Sequence, residues 1–252
     1  MGARLSVARR ERNAMDPGAV SILKRAVEMD KNEQYTIALV LYQEGVQILI
    51  DAMKETKEAN RTYLAAKTKE YLDRAEIVKQ LISTRKSQGK YREFTKIESG
   101  STGHGYESVF GRFLDGTVKY INIEDPYIRA FHQCQNLVRL CELAVRKCRT
   151  LSRISLITTY DAKELQQVTR LAELKESLAS RNIAFDFSFS ETLHDRQIRL
   201  SNGWVIKIGR GLDYFKAPES KFALGVFDLE LRPCNETTVD IFHENNLQNA
   251  IK

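Results

Sequence analysis

The chain has 252 residues, 42% hydrophobic and 29% charged, which places it among soluble globular chains with core material for one large or two ordinary domains. A formal net charge of +6 favours anionic partners, nucleic acid or an acidic membrane surface, without separating the two. Composition excludes several classes: Cys134, Cys141, Cys148 and Cys234 lack CxxC spacing and read as reduced packing thiols, no metal-ligand set or cofactor motif appears, the Val46–Ile50 run is far too short to span a bilayer, and no secretory signal opens the chain.

Residues 1–16 read as a disordered basic leader. MGARLS fits the loose pattern for N-myristoylation of Gly2, and Met15 offers an alternative start. Asp16-Pro17 is a helix start, with Asp as cap and Pro at the first helical position. Val20, Leu23 and Val27 follow at helical spacing, and the pattern breaks near Lys31-Asn32. The second helix carries two apolar stripes, Ala38, Leu41, Gly45, Ile48, Ala52 and Leu39, Tyr42, Val46, Leu49, Met53. Either it is packed on both sides or one stripe serves a partner. Gly45 costs about 1 kcal/mol of helix propensity against Ala, and a close helix crossing would account for it. The third helix, about Asn60 to Arg85, buries Leu64, Tyr71, Ala75, Val78 and Ile82 and carries a mixed stripe of Ala65, Leu72, Glu76 and Lys79. Leu72 beside Asp73 and Glu76 suits a groove for a basic amphipathic helix. It suits the peripheral core of the bundle as well.

The segments LKRAVEMDKNEQYTIALVLYQEGVQILI and KTKEYLDRAEIVKQLI resemble the MIT domain, the microtubule-interacting and trafficking module. Ala26, Asp30, Tyr35, Ala38, Leu39, Tyr42, Gly45 and Leu49 carry the match, with Tyr71-Leu72-Asp73-Arg74-Ala75-Glu76 especially close. The resemblance implies an all-α three-helix bundle over residues 17–88, without catalysis. It would hold C-terminal helices of ESCRT-III subunits between its second and third helices. The implied lining is Val46, Leu49, Met53, Ala65, Leu72, Asp73, Glu76 and Lys79.

Residues 89–105 read as a linker: Lys90 to Lys96 is mixed and polar, and Glu98 to Gly105 is Gly/Ser-rich, with His104 a loop residue. Residues 106–252 read as an α/β domain. Expected are a helix over Tyr106–Leu114, strands over Val118–Ile123, Leu151–Thr158 and Ile183–Phe189, and intervening helices over Tyr127–Lys147 (Phe131, Leu137, Leu140, Cys141 and Ala144 inward) and Asp161–Arg181. This order predicts a mostly parallel sheet. A hairpin turning at Asn202-Gly203 joins HDRQIRL to WVIKIG. A strand near Val226–Leu231 and a short helix near Glu236–Glu244 complete the prediction. No Walker or Rossmann glycine pattern follows the first strand, so no nucleotide site is expected.

Between His194 and Lys221 stand six Lys/Arg and three Asp/Glu, suited to an anionic group or to a merely solvated basic hairpin. His194 and Arg196 resemble a phospholipase D motif, which needs a nucleophilic histidine, a phosphate-binding lysine two residues on and an aspartate five residues later. Here arginine replaces lysine, Ser201 stands at the aspartate position, and the motif occurs once. The resemblance implies a phospholipase D-like domain that has degenerated toward binding, with His194 and Arg196 vestigial. IEDPYIR, LHDRQIR, NGWVIKIGRGLDYF and LRPCNETTVDIFH extend the resemblance to a family that joins an MIT module to such a domain. That family implies a homodimer, cytoplasmic and peripheral on late endosomes and at the midbody. Its partners would be ESCRT-III subunits and acidic, phosphoinositide-containing membrane, in cytokinetic abscission, with Arg196, Arg199, Lys207 and Arg210 as membrane candidates and no cofactor. The alternative is a phosphodiesterase using His194 across a dimer. Nucleic acid binding has only net charge in its favour.

Overall fold

The computed structural model describes residues 16–55 and 58–244. The readings of Gly2 and Met15 lie outside the described residues. The chain divides into two compact units, Met1–Gln88 and Gly89–Lys252.

The first unit is three helices: α1 (Pro17–Lys31), α2 (Tyr35–Glu55) and α3 (Glu58–Ser87). Asp16 caps α1 as its position requires, its Oδ1 accepting the N–H groups of Gly18 and Ala19 at 2.7 and 3.2 Å. The buried stripe of α1 is Ala19, Leu23, Ala26 and Asp30, so Val20 and Val27 flank the core rather than form it. α2 is the central helix and packs on both α1 and α3. That accounts for its two stripes, from which Ala38, Tyr42, Val46 and Leu49 are buried. Gly45 is the close crossing: a Cβ there would meet Leu23 side-chain carbons at 2.6 Å. α3 buries Leu64, Ala75, Val78 and Ile82.

One polar cluster ties the three helices. Arg74 on α3 donates to both carboxylate oxygens of Asp30 on α1, at 2.7 and 2.8 Å, and the Tyr42 hydroxyl on α2 donates to the same carboxylate at 3.0 Å. The Arg74 hydrogen bonds, with that of Tyr42, hold the Asp30 carboxyl below the usual range against the opposing effect of burial. Burial and the Asp30 bond push the Tyr42 phenol up to about 12.

The second unit is built on a seven-stranded sheet of order β1-β7-β6-β5-β2-β3-β4. Its strands are β1 (Arg92–Ile97), β2 (Tyr120–Glu124), β3 (Arg153–Thr158), β4 (Ala184–Phe189), β5 (Gln197–Leu200), β6 (Trp204–Ile208) and β7 (Thr237–His243). Short α4 (Tyr106–Phe110) precedes β2, α5 (Phe131–Lys147) joins β2 to β3, and α6 (Gln167–Ala179) joins β3 to β4. Only β2·β3 and β3·β4 pair in parallel among the described residues. The other four pairings are antiparallel, so the sheet is mixed rather than mostly parallel.

Four expectations need correction. Lys90–Lys96 is not linker: it enters β1, in which Glu93 and Ile97 are buried, with Tyr91 buried just before it, and Arg92 pairs across to Asp240 on β7 with two bonds of 2.7 Å. The inward Glu93 accepts from Arg112 at 2.6 Å and from the Tyr91 hydroxyl, so a carboxylate occupies a core-facing place. Glu236–Glu244 holds strand β7, not a helix: Thr237, Val239 and Ile241 are buried in alternation, the β-branched pattern of a strand. Val226–Leu231 forms no strand: Gly225 sits at φ +84° and Leu229–Leu231 is a 3₁₀ turn. Phe131, expected inward, is exposed at the first position of α5 with the Arg170 guanidinium 5.4 Å from its ring centre.

Candidate functional site

In the helical unit, α3 turns about 100° per residue. With Leu64, Ala75, Val78 and Ile82 buried, Ala65, Leu72, Glu76 and Lys79 fall on one flank and Arg74 on the other. Arg74 reaches α1, so the Leu72 flank is the one turned toward α2. Leu72 is 48% exposed. Glu76 and Lys79 form an exposed pair at 3.5 Å on the same flank, and Met53 on α2 is half-buried. Two expected lining residues drop out: Val46 is 4% exposed and Leu49 fully buried, because the central helix spends them on packing. Asp73 also departs, about 100° further round than Leu72 and on the outward side. The other face, toward α1, holds a cleft of about 420 Å³ lined by Val27, Asp30, Tyr42, Glu70, Tyr71 and Arg74, which the apolar periodicity does not announce.

In the sheet unit, the hairpin is β5 and β6, joined through Ser201, Asn202 and Gly203, with Gly203 at φ +88°. Trp204 packs into the core against Tyr91, Phe113 and His243, with ring centres 5.0, 4.5 and 5.3 Å away. β5 begins only at Gln197, so His194 and Arg196 precede the strand instead of alternating along it. His194 is exposed and meets no hydrogen-bond partner or carboxylate among the described residues. The Arg196 guanidinium lies 4.3 Å from the Tyr127 ring centre and donates to the Gly209 carbonyl. Ser201 stands at the far end of β5, its hydroxyl accepting the Lys119 and Tyr120 N–H groups at 2.7 and 3.3 Å. It ties the hairpin to the start of β2 and does not orient an imidazole.

The basic residues of the hairpin each meet a partner. Arg199 and Lys207 share a sheet face, since Gln197 pairs with Lys207 and Arg199 with Val205. Arg199 meets Glu244 at 3.3 Å, Lys207 meets Asp195 at 3.8 Å, and Arg210 donates to the Glu236 carbonyl at 3.0 Å. A histidine with a carboxylate partner is His132, whose Nε2 lies 3.1 Å from Asp213 Oδ2. Gln133 and Asn136 donate to the same carboxylate at 3.3 and 3.0 Å. Asp213 thereby ties the loop after β6 to the first turns of α5. Its 81-residue separation from His132 leaves no local signal. Beside it, Asp125 is buried and accepts from the Tyr127 and Leu212 N–H groups at 3.0 and 2.9 Å; burial pushes its carboxyl up. Gly211 at φ +63° admits this approach, since a Cβ there would overlap Asp125.

Comparison with known proteins agrees with this architecture. A family model for the MIT (microtubule interacting and transport) domain matches residues 18–80. A model described as the phospholipase D-like domain at the C-terminus of MIT matches residues 103–243. MIT domain-containing protein 1 of Mus musculus is 48% identical over 231 residues, which span 90% of this chain and 93% of that protein. The chain belongs to the family that joins an MIT domain to a C-terminal phospholipase D-like domain, with that mouse protein as a relative.

Proposed function

We propose that the chain is a non-enzymatic adaptor. Its MIT unit takes the C-terminal helix of an ESCRT-III subunit between α2 and α3. Its second unit, as a homodimer, holds acidic, phosphoinositide-containing membrane, and the two together serve cytokinetic abscission at the midbody, with a further place on late endosomes. The half-exposed Leu72, on a flank with Ala65 and Glu76 and turned toward α2, carries this reading. An exposed apolar side chain with an acid beside it suits an amphipathic helix with basic residues. The phosphodiesterase alternative has less support: a general base needs an oriented histidine, and His194 lacks a carboxylate partner among the described residues while Ser201 is engaged elsewhere. The test is a titration of a fluorescent peptide copied from an ESCRT-III C-terminal helix into the full chain. Leu72→Asp should weaken binding at least about tenfold with helical content unchanged, because a charge then faces an apolar partner. Equal affinity of the variant would remove Leu72 from the site.

A further inference from the structure

The loop between β6 and β7 carries three of the most exposed large apolar side chains among the described residues. Phe222 is 100% exposed, and Leu224 and Phe227 are each 87% exposed. An exposed apolar residue is ordinary, but three large ones within six positions, each standing almost wholly in solvent, form a prong. The prong is held firmly at its base. Phe215 bridges to Cys234 and the Lys216 N–H bonds the Pro233 carbonyl at 2.9 Å, closing the loop at both ends. Inside it, the buried Arg232 guanidinium donates to the Gly225 and Val226 carbonyls, and Arg139 from α5 reaches Val226 at 3.3 Å. Gly225 at φ +84° lies so close to the backbone of Leu231 and Arg232 that a Cβ would sit 3.0 Å from it. A buried cation spent on loop carbonyls fixes the backbone while the apolar side chains point outward. Lys216 and Lys221, both exposed, precede Phe222 with the exposed Glu219 between them, and neither lysine has an acidic partner among the described residues.

We infer that residues 222–227 are a membrane-inserting prong that enters the acyl boundary of an acidic bilayer while Lys216 and Lys221 meet the headgroups. This rests on the membrane reading above and names its site. Aromatic and leucine side chains beside lysine are the composition that partitions into a lipid interface, and their protrusion suits a penetrable surface better than a flat protein face. It also moves the contact away from the hairpin cations, of which Arg199 pairs with Glu244, Lys207 pairs with Asp195, and Arg196 and Arg210 donate to backbone carbonyls.

The experiment uses the full chain and vesicles of phosphatidylcholine with or without phosphatidylserine. The triple change Phe222→Ser, Leu224→Ser, Phe227→Ser removes only exposed surface, so its thermal melt should match the parent. Salt screens lysine contacts but not apolar insertion. The parent should therefore keep a salt-resistant share of its binding to acidic vesicles, and the triple variant should lose it, with partitioning at least about tenfold weaker. As a second reading, Phe222→Trp should be quenched by brominated lipid, whereas the parent's buried Trp204 is not. Undiminished binding of the triple variant, with no quenching, would overturn the prong and leave the membrane reading standing. A parent that binds no acidic vesicle would sink both. Conversion of a dimer to a monomer by the triple change, with vesicle binding intact, would reassign the loop to contact between copies.

Discussion

Individual side chains set the stability of the helical unit at two places. At Gly45, replacement by alanine would gain about 1 kcal/mol of helix propensity but drive a methyl into the buried Leu23. Overpacking of a well-filled core costs about 1–3 kcal/mol, so Gly45→Ala should lower stability by a net of about 1 kcal/mol in urea unfolding. A stabilised variant would show that the α1–α2 crossing relaxes. At Asp30, the carboxylate accepts three charged or phenolic donors in a buried place. Asp30→Asn should cost about 1.5–3 kcal/mol. Because the folded Asp30 is held below its ordinary 3.8, its contribution is complete above the unfolded value and is lost as pH falls through the folded one. An acid titration of helicity should therefore show a transition below pH 3.8 in the parent that is absent in Asp30→Asn.

At the scale of elements, β1 is held to its unit by chemistry as well as by its ladder. Its Glu93 side chain and Arg112 form a buried pair, with side-chain exposures of 3% and 10%. Breaking such a pair from one side strands a charge. Arg112→Ala should thus destabilise the second unit by about 3 kcal/mol, and amide exchange should rise first along β1 and its neighbour β7. Unchanged protection there would show that the ladder alone holds the edge. The same strand explains a failure of sequence reading. Alternation was present in Tyr91, Glu93, Thr95 and Ile97, but a glutamate at a core position makes the run look polar. β7 stands where a helix near Glu236–Glu244 is expected, because Thr237, Thr238, Val239 and Ile241 are β-branched residues that favour a strand. The hairpin was legible because Asn-Gly at its turn is a local signal with one strong meaning.

For the whole molecule, the single His194-Arg196 motif bears on assembly. A fold whose relatives bring two such motifs together and which carries one here is expected to pair copies. Light scattering of the full chain should give a mass near 58 kDa, twice the 28.9 kDa of one chain. A mass of one chain across a hundredfold range of concentration would defeat the homodimer.

Local pattern was enough to determine the two-part organisation, the three helices of the MIT unit, the β-α-β-α-β run and the hairpin. Each of these rests on spacing within a few residues: apolar periodicity, the Asp16-Pro17 start, the Asn202-Gly203 turn. Leu72 is a groove candidate from the sequence because acidic Asp73 and Glu76 lie beside it, and its exposure keeps it one. Tertiary structure alone decided which of the two stripes on α2 is spent: Val46 and Leu49 lie between neighbours on both sides, and one helix's sequence does not say how many neighbours it has. It alone decided that Arg199, Lys207 and Arg210 already have partners, since those partners come from across the sheet or the hairpin. It also decided the order of the sheet, where β1 and β7, at opposite ends of the unit's sequence, pair side by side. Pairing energy depends on who is adjacent in space, and adjacency at long separation leaves no periodic trace in the chain.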